Sequence, residues 1–361
     1  MKWLDEFRDP ALVQPLVRRV ERAAAELGPT TLMEVCGTHT MSIARFGLGQ
    51  LWPENVRLVS GPGCPVCVTE VGYVDHARAL ARLPRVTIAT FGDLVRVPGS
   101  SGSLAHERAA GARVEVVTSP LEALTLCRAE PEREVVFLAV GFETTAPTIA
   151  ATLLRAEAEG VPNLSLLCAN KTIPAALELL AADGGLHGLL CPGHVSVVTG
   201  TEIYEPLARR GVACAVAGFE PLDILHGVAC LLEQLAAGQA RVDNTYARVV
   251  RAEGNPQARL LCEKVFEPCD AAWRGLGVIP GSGLALRPAL GARDALRRFG
   301  ELEVEPPREP RGCRCGEILA GKIRPSACPL FGAACTPEDP VGACMVSSEG
   351  TCAAAYRYEG V

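Results

Sequence analysis

Short apolar, β-branched runs alternate with stretches of helical spacing along the first two thirds of the chain. Between Trp3 and Leu27 the apolar positions Leu12, Val13, Leu16, Val17 and Val20, then Ala23 to Ala25, repeat on one helix face, and Gly28-Pro29 ends the pattern. TLMEV (31–35), VRLVS (56–60), VTIAT (86–90) and VEVVT (114–118) read as strands, with a helix over 75–83. The pattern restarts with EVVFLAV (134–140), a helix over 148–158, a strand over 164–169, a helix over 175–182 and a strand over 188–191. A strand over 214–217 and a helix over 222–237 follow. Residues 242–261 read as a helix broken at Glu253-Gly254-Asn255-Pro256, Pro280-Gly281-Ser282-Gly283 as a turn, and 303–310 as a charged, proline-rich linker. This alternation predicts an α/β protein with two adjacent parallel-sheet units around a central cleft, followed by a C-terminal segment packed with helices. The expected division is 28–128 for the first unit, 129–240 for the second, and 1–27 with 241–361 for a helical, cysteine-rich domain.

Composition narrows the classes. Hydrophobic residues make up 48% of 361, and mean hydropathy is +0.20, enough for a large core. No apolar run reaches the ~18 residues of a membrane span. The net charge is −6, the basic residues are scattered and aromatics are 5%, which argues against nucleic acid as the main partner. Met1 to Pro10 is charged and amphipathic, with no apolar signal core, so a reducing cytoplasm is the expected compartment. Sixteen cysteines is a heavy load there. Cys127, Cys168, Cys214, Cys230 and Cys262 lie in apolar surroundings and read as small core residues.

Six cysteines remain in the last fifty residues, among Gly, Pro and Ser: Cys313, Cys315, Cys328, Cys335, Cys344 and Cys352. So little apolar side chain needs a staple, and clustered cysteines in a reducing compartment favour metal over disulfides. Structural zinc prefers two close pairs, which are absent here, whereas widely spaced thiolates suit the corners of an iron–sulfur cubane. Spacing alone leaves iron–sulfur, zinc and no metal open, and leaves the choice of ligands open as well.

The other unusual residues stand directly after expected strands, the end at which open α/β sheets collect ligands. Cys36-Gly37-Thr38-His39 pairs a thiol with an imidazole that is able to take its proton or, as a cation, to stabilise a thiolate; a capping turn with a buried thiol is the plainer alternative. Cys64-Pro65-Val66-Cys67 is a C-x-x-C in a loop stiffened by Gly63 and Pro65, expected to expose its sulfurs as a redox pair rather than half a zinc site. Glu143 and Thr144, with Thr145, precede Ala146-Pro147; the threonines are expected to cap the next helix, and Glu143 and Thr144 are candidate substrate contacts. His194 is a candidate proton carrier, and Glu220, in the second Gly-Phe-Glu, a candidate substrate contact. No Walker loop, G-x-G-x-x-G or G-x-S-x-G is present to support nucleotide or serine chemistry.

MEVCGTHTM, SGPGCPVCVT, VGFETTAPT, CPGHVSVVTG, GFEPLDIL and PLFGAACTPEDPVGACMVSSEGTCAA resemble, in this order over nearly the whole chain, the motifs of the HypD family of hydrogenase-maturation proteins. The resemblance implies a [4Fe-4S] cluster on a C-x14-C-x6-C-x16-C pattern, here Cys313, Cys328, Cys335 and Cys352, with Cys315 and Cys344 as bystanders. It also implies a scaffold on which the transient Fe(CN)2CO unit of [NiFe]-hydrogenase is assembled. The implied partners are a HypC-type small chaperone and a HypE-type donor of cyanide. Cys36 is then the iron-binding thiolate with His39 beside it, and Cys64 and Cys67 form a dithiol/disulfide couple. Many relatives carry a second histidine where this chain has Met41, and a thioether cannot shuttle protons. An independent thiol–disulfide oxidoreductase, or a non-redox binding platform with a structural metal, is the alternative from another class.

Overall fold

The computed structural model describes residues 6–360, so the Trp3–Asp5 start of the expected first helix lies outside the described residues. After a short 3-10 turn at Glu6–Arg8 that helix runs Pro10–Ala25, capped by the Asp9 carboxylate on the Ala11 N–H.

The strands are β1 (Thr30–Glu34), β2 (Val56–Ser60), β3 (Val86–Thr90), β4 (Arg113–Val116), β5 (Glu134–Ala139), β6 (Leu164–Cys168), β7 (Gly188–Pro192), β8 (Ala213–Ala217), β9 (Val242–Asn244), β10 (Phe266–Trp273) and β11 (Gly277–Leu286). The architecture is α/β, with two parallel sheets flanked by helices. The first sheet has the order β2-β1-β7-β8-β9 and the second β4-β3-β5-β6. Central strands such as β3, β7 and β8 are buried along their whole length, as expected where both faces of a parallel sheet are covered.

The sheets do not follow the division at residues 128 and 129. β1 and β2 pair with each other and β1 then pairs with β7, Leu32 opposite Gly188, whereas β3 and β4 belong with β5 and β6. The second unit is therefore inserted into the first between β2 and β7. Local pattern marks strands but not which sheet each one joins, because every one of these short apolar runs suits the interior of either sheet.

Three local readings also change. Residues 242–252 are not helical: β9 closes the edge of the first sheet, and the next helix is Pro256–Val265, capped by the Asn255 side chain. Pro280–Gly283 is not a turn but part of β11, which pairs antiparallel with β10 and is kinked by an irregularity in β10 between Cys269 and Ala271. The Gly37–Arg45 helix starts at the residue after Cys36. The linker over 303–310 is irregular, and the C-terminal segment holds the short helices Cys315–Leu319, Ala343–Val346 and Thr351–Tyr358. Among the described residues no helix is long and apolar enough to cross a membrane.

Candidate functional site

In the first sheet the chain leaves β1 toward β2 on one side and continues through β7 to β9 on the other. The crevice of a doubly wound sheet opens where the order reverses, beyond the ends of β1 and β7. Cys36 follows β1 and His194 follows β7, so both stand at that crevice.

Cys36 is extended (φ −149°, ψ 124°) and caps the Gly37–Arg45 helix. Burial pushes its thiol up to about 12, and the carboxylates of Glu349 and Glu34 act in the same direction. The backbone N–H groups of His39 and Thr38, at the helix start, pull the other way and lose. The residue is thus a neutral thiol at neutral pH, and a cation must replace its proton before it acts as a thiolate. Glu34 lies beneath: its carboxyl accepts the Cys36 N–H at 3.0 Å and the Thr40 hydroxyl at 2.5 Å, and burial lifts it to about 7.

His39 is buried, and its Nε2 stands 2.9 Å from the Gly218 carbonyl. A carbonyl only accepts, so Nε2 carries the proton and Nδ1 is the basic nitrogen, buried without a partner. Burial lowers His39 to about 4, so the ring is neutral at neutral pH, and the same burial that removes the imidazolium also opposes its taking up a proton. Its ring packs on Phe219 at 4.8 Å, and His194, exposed on its other edge, stacks on the same Phe219 at 4.0 Å. Phe219 therefore fixes both histidines.

Two glycines bring other segments to Cys36. A Cβ on Gly63 would stand 2.3 Å from the Cys36 nitrogen, so only glycine lets the Gly61–Cys67 loop lie on this backbone, where the Gly37 N–H donates to the Gly63 carbonyl. A Cβ on Gly37 would stand 2.5 Å from the Glu349 Cβ. Glu349, from the C-terminal segment, accepts the Thr38 hydroxyl at 2.9 Å and turns its charge on both Cys36 and His194.

Cys64 and Cys67 lie sulfur to sulfur, as in a disulfide, with Cα atoms 5.3 Å apart. Both are buried rather than exposed, because the loop is covered by the C-terminal segment: Cys67 Sγ is 3.9 Å from the Ala343 carbonyl, beside Cys344.

The remaining candidates go elsewhere. Glu220 pairs with Arg8 (Nη2 to Oε1, 2.9 Å) and caps the Pro221–Ala236 helix. Glu143 accepts the Ile173 N–H at 2.8 Å, leaves Oε2 buried without a partner, and is lifted by burial to about 7. Thr144 is exposed, and Thr145 occupies the cap position of the Ala146–Ala158 helix without a side-chain bond to it.

All six C-terminal cysteines line one small cavity with Ile318, Leu330, Phe331 and Met345. Cys344 and Cys352 have their sulfurs 3.1 Å apart, Cys335 Sγ accepts the Val341 N–H at 3.3 Å, and a Cβ on Gly342 would stand 2.7 Å from Cys313 Sγ. Cys315 and Cys344 line the same cavity as the four expected ligands. Among the described residues no group of three or more His, Cys, Asp and Glu side chains is placed to hold a metal ion. Soft thiolates, an N–H donated to sulfur and an apolar lining are the features that hold and tune an iron–sulfur cluster, so the donor set fits that group.

The family described as "HypD: Hydrogenase formation hypA family" matches residues 11–359. This chain belongs to the HypD family. It is 46% identical to the hydrogenase maturation factor HypD of Escherichia coli (strain K12), over 99% of this chain and 98% of that protein. The factor of the same name from Azotobacter vinelandii is 45% identical, over 99% of this chain and 97% of its own length. That of Rhodobacter capsulatus is 44% identical, over 100% and 99%. Within the family motifs, sequence reasoning singled out Cys36, His39, Cys64, Cys67 and His194, and the fold gathers them. It missed Phe219 and Glu349, although both lie inside the motifs GFEPLDIL and MVSSEG.

Proposed function

We propose that this member of the HypD family is a hydrogenase maturation factor acting as the scaffold on which an Fe(CN)2CO unit is built. It works with a HypC-type small chaperone and receives cyanide from a HypE-type donor. The observation that carries this reading is the convergence on Cys36: a soft ligand at the crevice of the first sheet, with the basic Nδ1 of His39 on the same helix start, His194 and Glu349 around it and the Cys64–Cys67 pair against its backbone. A thiolate suits low-spin iron bearing cyanide and carbonyl.

Iron is the substrate, and Cys36 gives up its proton on binding it. With Nε2 committed to Gly218, His39 offers its unpartnered Nδ1 as a neutral hydrogen-bond acceptor beside the iron site, and burial keeps it from holding that proton itself. Glu349 holds the Thr38 hydroxyl and keeps the turn in place. Cys64 and Cys67 form a two-electron couple: the disulfide takes two electrons and two protons and becomes two thiols. Cys313, Cys328, Cys335 and Cys352 would hold a [4Fe-4S] cluster, which supplies single-electron transfer when bound. Burial of both sulfurs of the pair favours exchange within this protein over turnover of small disulfides in solution.

The test is infrared spectroscopy of the protein purified with its small partner, in the window where only cyanide and carbonyl absorb. Cys36→Ala is expected to fold, to keep iron and labile sulfide, and to lose these bands. His39→Ala should weaken them. Bands of normal intensity in Cys36→Ala would overturn the scaffold reading.

A further inference from the structure

Arg274 is a buried cation for which the fold provides little compensation. Its side chain is 2% exposed, and all three guanidinium nitrogens are buried without a hydrogen-bond partner. Among the described residues, the carboxylate in ion-pair range is Glu309, 3.6 Å from Nε and itself 58% exposed. A charge held this way costs several kcal/mol unless something negative faces it.

Its position shows what that is. Arg274 lies at the tip of the β10–β11 hairpin and donates its backbone N–H to the Val68 carbonyl, one residue beyond Cys67. The next residue, Gly275 (φ 79°), packs backbone to backbone on Gly316, where an added Cβ would stand 2.1 Å from the Gly316 Cα. Gly316 follows Cys315, which lines the six-cysteine cavity. The hairpin tip that carries this buried guanidinium thus joins the Cys64–Cys67 loop to the helix start at Cys315 on the wall of the six-cysteine cavity.

We infer that Arg274 is the counter-cation of the cysteine cavity, offsetting the negative charge of its thiolates, and of the cluster they would hold, on the side facing the Cys64–Cys67 loop. This rests on the proposed cluster. A cluster that accepts an electron gains negative charge, so a fixed cation beside it favours the reduced form. Arg274 is a positioning residue for charge and touches no reacting atom.

The experiment compares the anaerobically purified full chain with Arg274→Gln, Arg274→Lys and Glu309→Gln, by iron and sulfide content and by a spectroelectrochemical titration of the cluster absorbance. Wild-type protein without iron and sulfide would defeat the cluster reading itself, separately from any result on the variants. With cluster present, Arg274→Gln is expected to lower the reduced-to-oxidised ratio at fixed potential at least threefold, about 28 mV for one electron. Arg274→Lys should stay within that margin of wild type. Equal midpoints in wild type and Arg274→Gln, or an equal drop in both Arg274 variants, would overturn the inference. If Arg274→Gln does not fold, the surface change Glu309→Gln decides: removing the competing negative charge raises the midpoint, and an unchanged or lower midpoint overturns it.

Discussion

The two parallel sheets are built alike and used differently. Read in chain order within each sheet, both follow the order 2-1-3-4, with a fifth strand added to the first, so each has one crevice where the order reverses. In the first sheet that crevice receives Cys36 and His194, held by Gly63, Phe219 and Glu349. In the second, the corresponding ends of β3 and β5 carry Phe91, Asp93, Phe142 and Glu143. There Phe91 packs edge-on against Phe137, Phe142 stacks on Trp273 at 5.8 Å, and Asp93 accepts the Ser347 hydroxyl. One crevice presents a thiol and an imidazole, and the other is filled with rings and capped by the C-terminal segment. Topology supplies a place for chemistry, and the first few residues after each strand decide whether it is used.

The largest expected effect tests the filled crevice. Phe142→Ala should cost about 3–5 kcal/mol in chemical denaturation, because a large buried ring is replaced by a void. The infrared bands of the surviving folded protein should be unchanged; their loss would mean that the second crevice also serves the iron.

Glu143 in that crevice gives a pH signature. Its carboxyl titrates near 4.5 when unfolded and is raised by burial to about 7 when folded. Between those values the unfolded state loses its proton first, so stability falls as pH rises. Glu143→Gln should remove this loss, gaining on the order of 3 kcal/mol at pH 8 at 1.36 kcal/mol per unit, and nothing at pH 4. A stability difference that does not vary with pH would contradict a neutral carboxyl at this position.

Gly63→Ala addresses the used crevice. Its methyl meets backbone that has no rotamer to give way, so we expect about 1–3 kcal/mol of destabilisation. Here, unlike at Phe142, the infrared bands should disappear as the Cys36 turn is displaced. The smallest effect belongs to Phe219→Leu. Losing two ring contacts should cost about 1 kcal/mol. Maturation should fall more than stability does, measured as hydrogenase activity restored in a host lacking its own factor.

Much of the fold was readable because short β-branched runs mark parallel strands: β3, buried along its whole length, and β2, a partly exposed edge strand, both stand where the pattern puts them. β10 and β11 were not readable, since Pro268, Pro280, Gly281 and Gly283 interrupt any strand periodicity and are tolerated in an isolated two-stranded ribbon. β9 is three residues of edge strand, too short to show a period. At the site, thiols and imidazoles declare themselves by residue type, which is why Cys36, His39 and His194 were found. Glu349 looks like any polar residue in a Ser-Gly loop until the fold sets it against Gly37, 312 positions earlier in the chain. Cys315 and Cys344 show the opposite problem: spacing leaves six thiols open, the family resemblance names four, and the fold sets the other two in the same cavity.

The insertion of one sheet into the other governs when the Cys36 centre can exist. During synthesis β1 emerges early but cannot meet β7 until residue 188 has left the ribosome, and Glu349 arrives only with the last dozen or so residues. Domains usually fold from the N-terminus as they emerge, but here the N-terminal strand waits for the whole inserted unit. Closing so long a loop costs little more free energy than a shorter one, since the cost grows only with the logarithm of length, but it slows the search. Ribosomal products that stop before β7 therefore carry Cys36 on a β1 that has β2 beside it but not β7, and without His194 or Glu349.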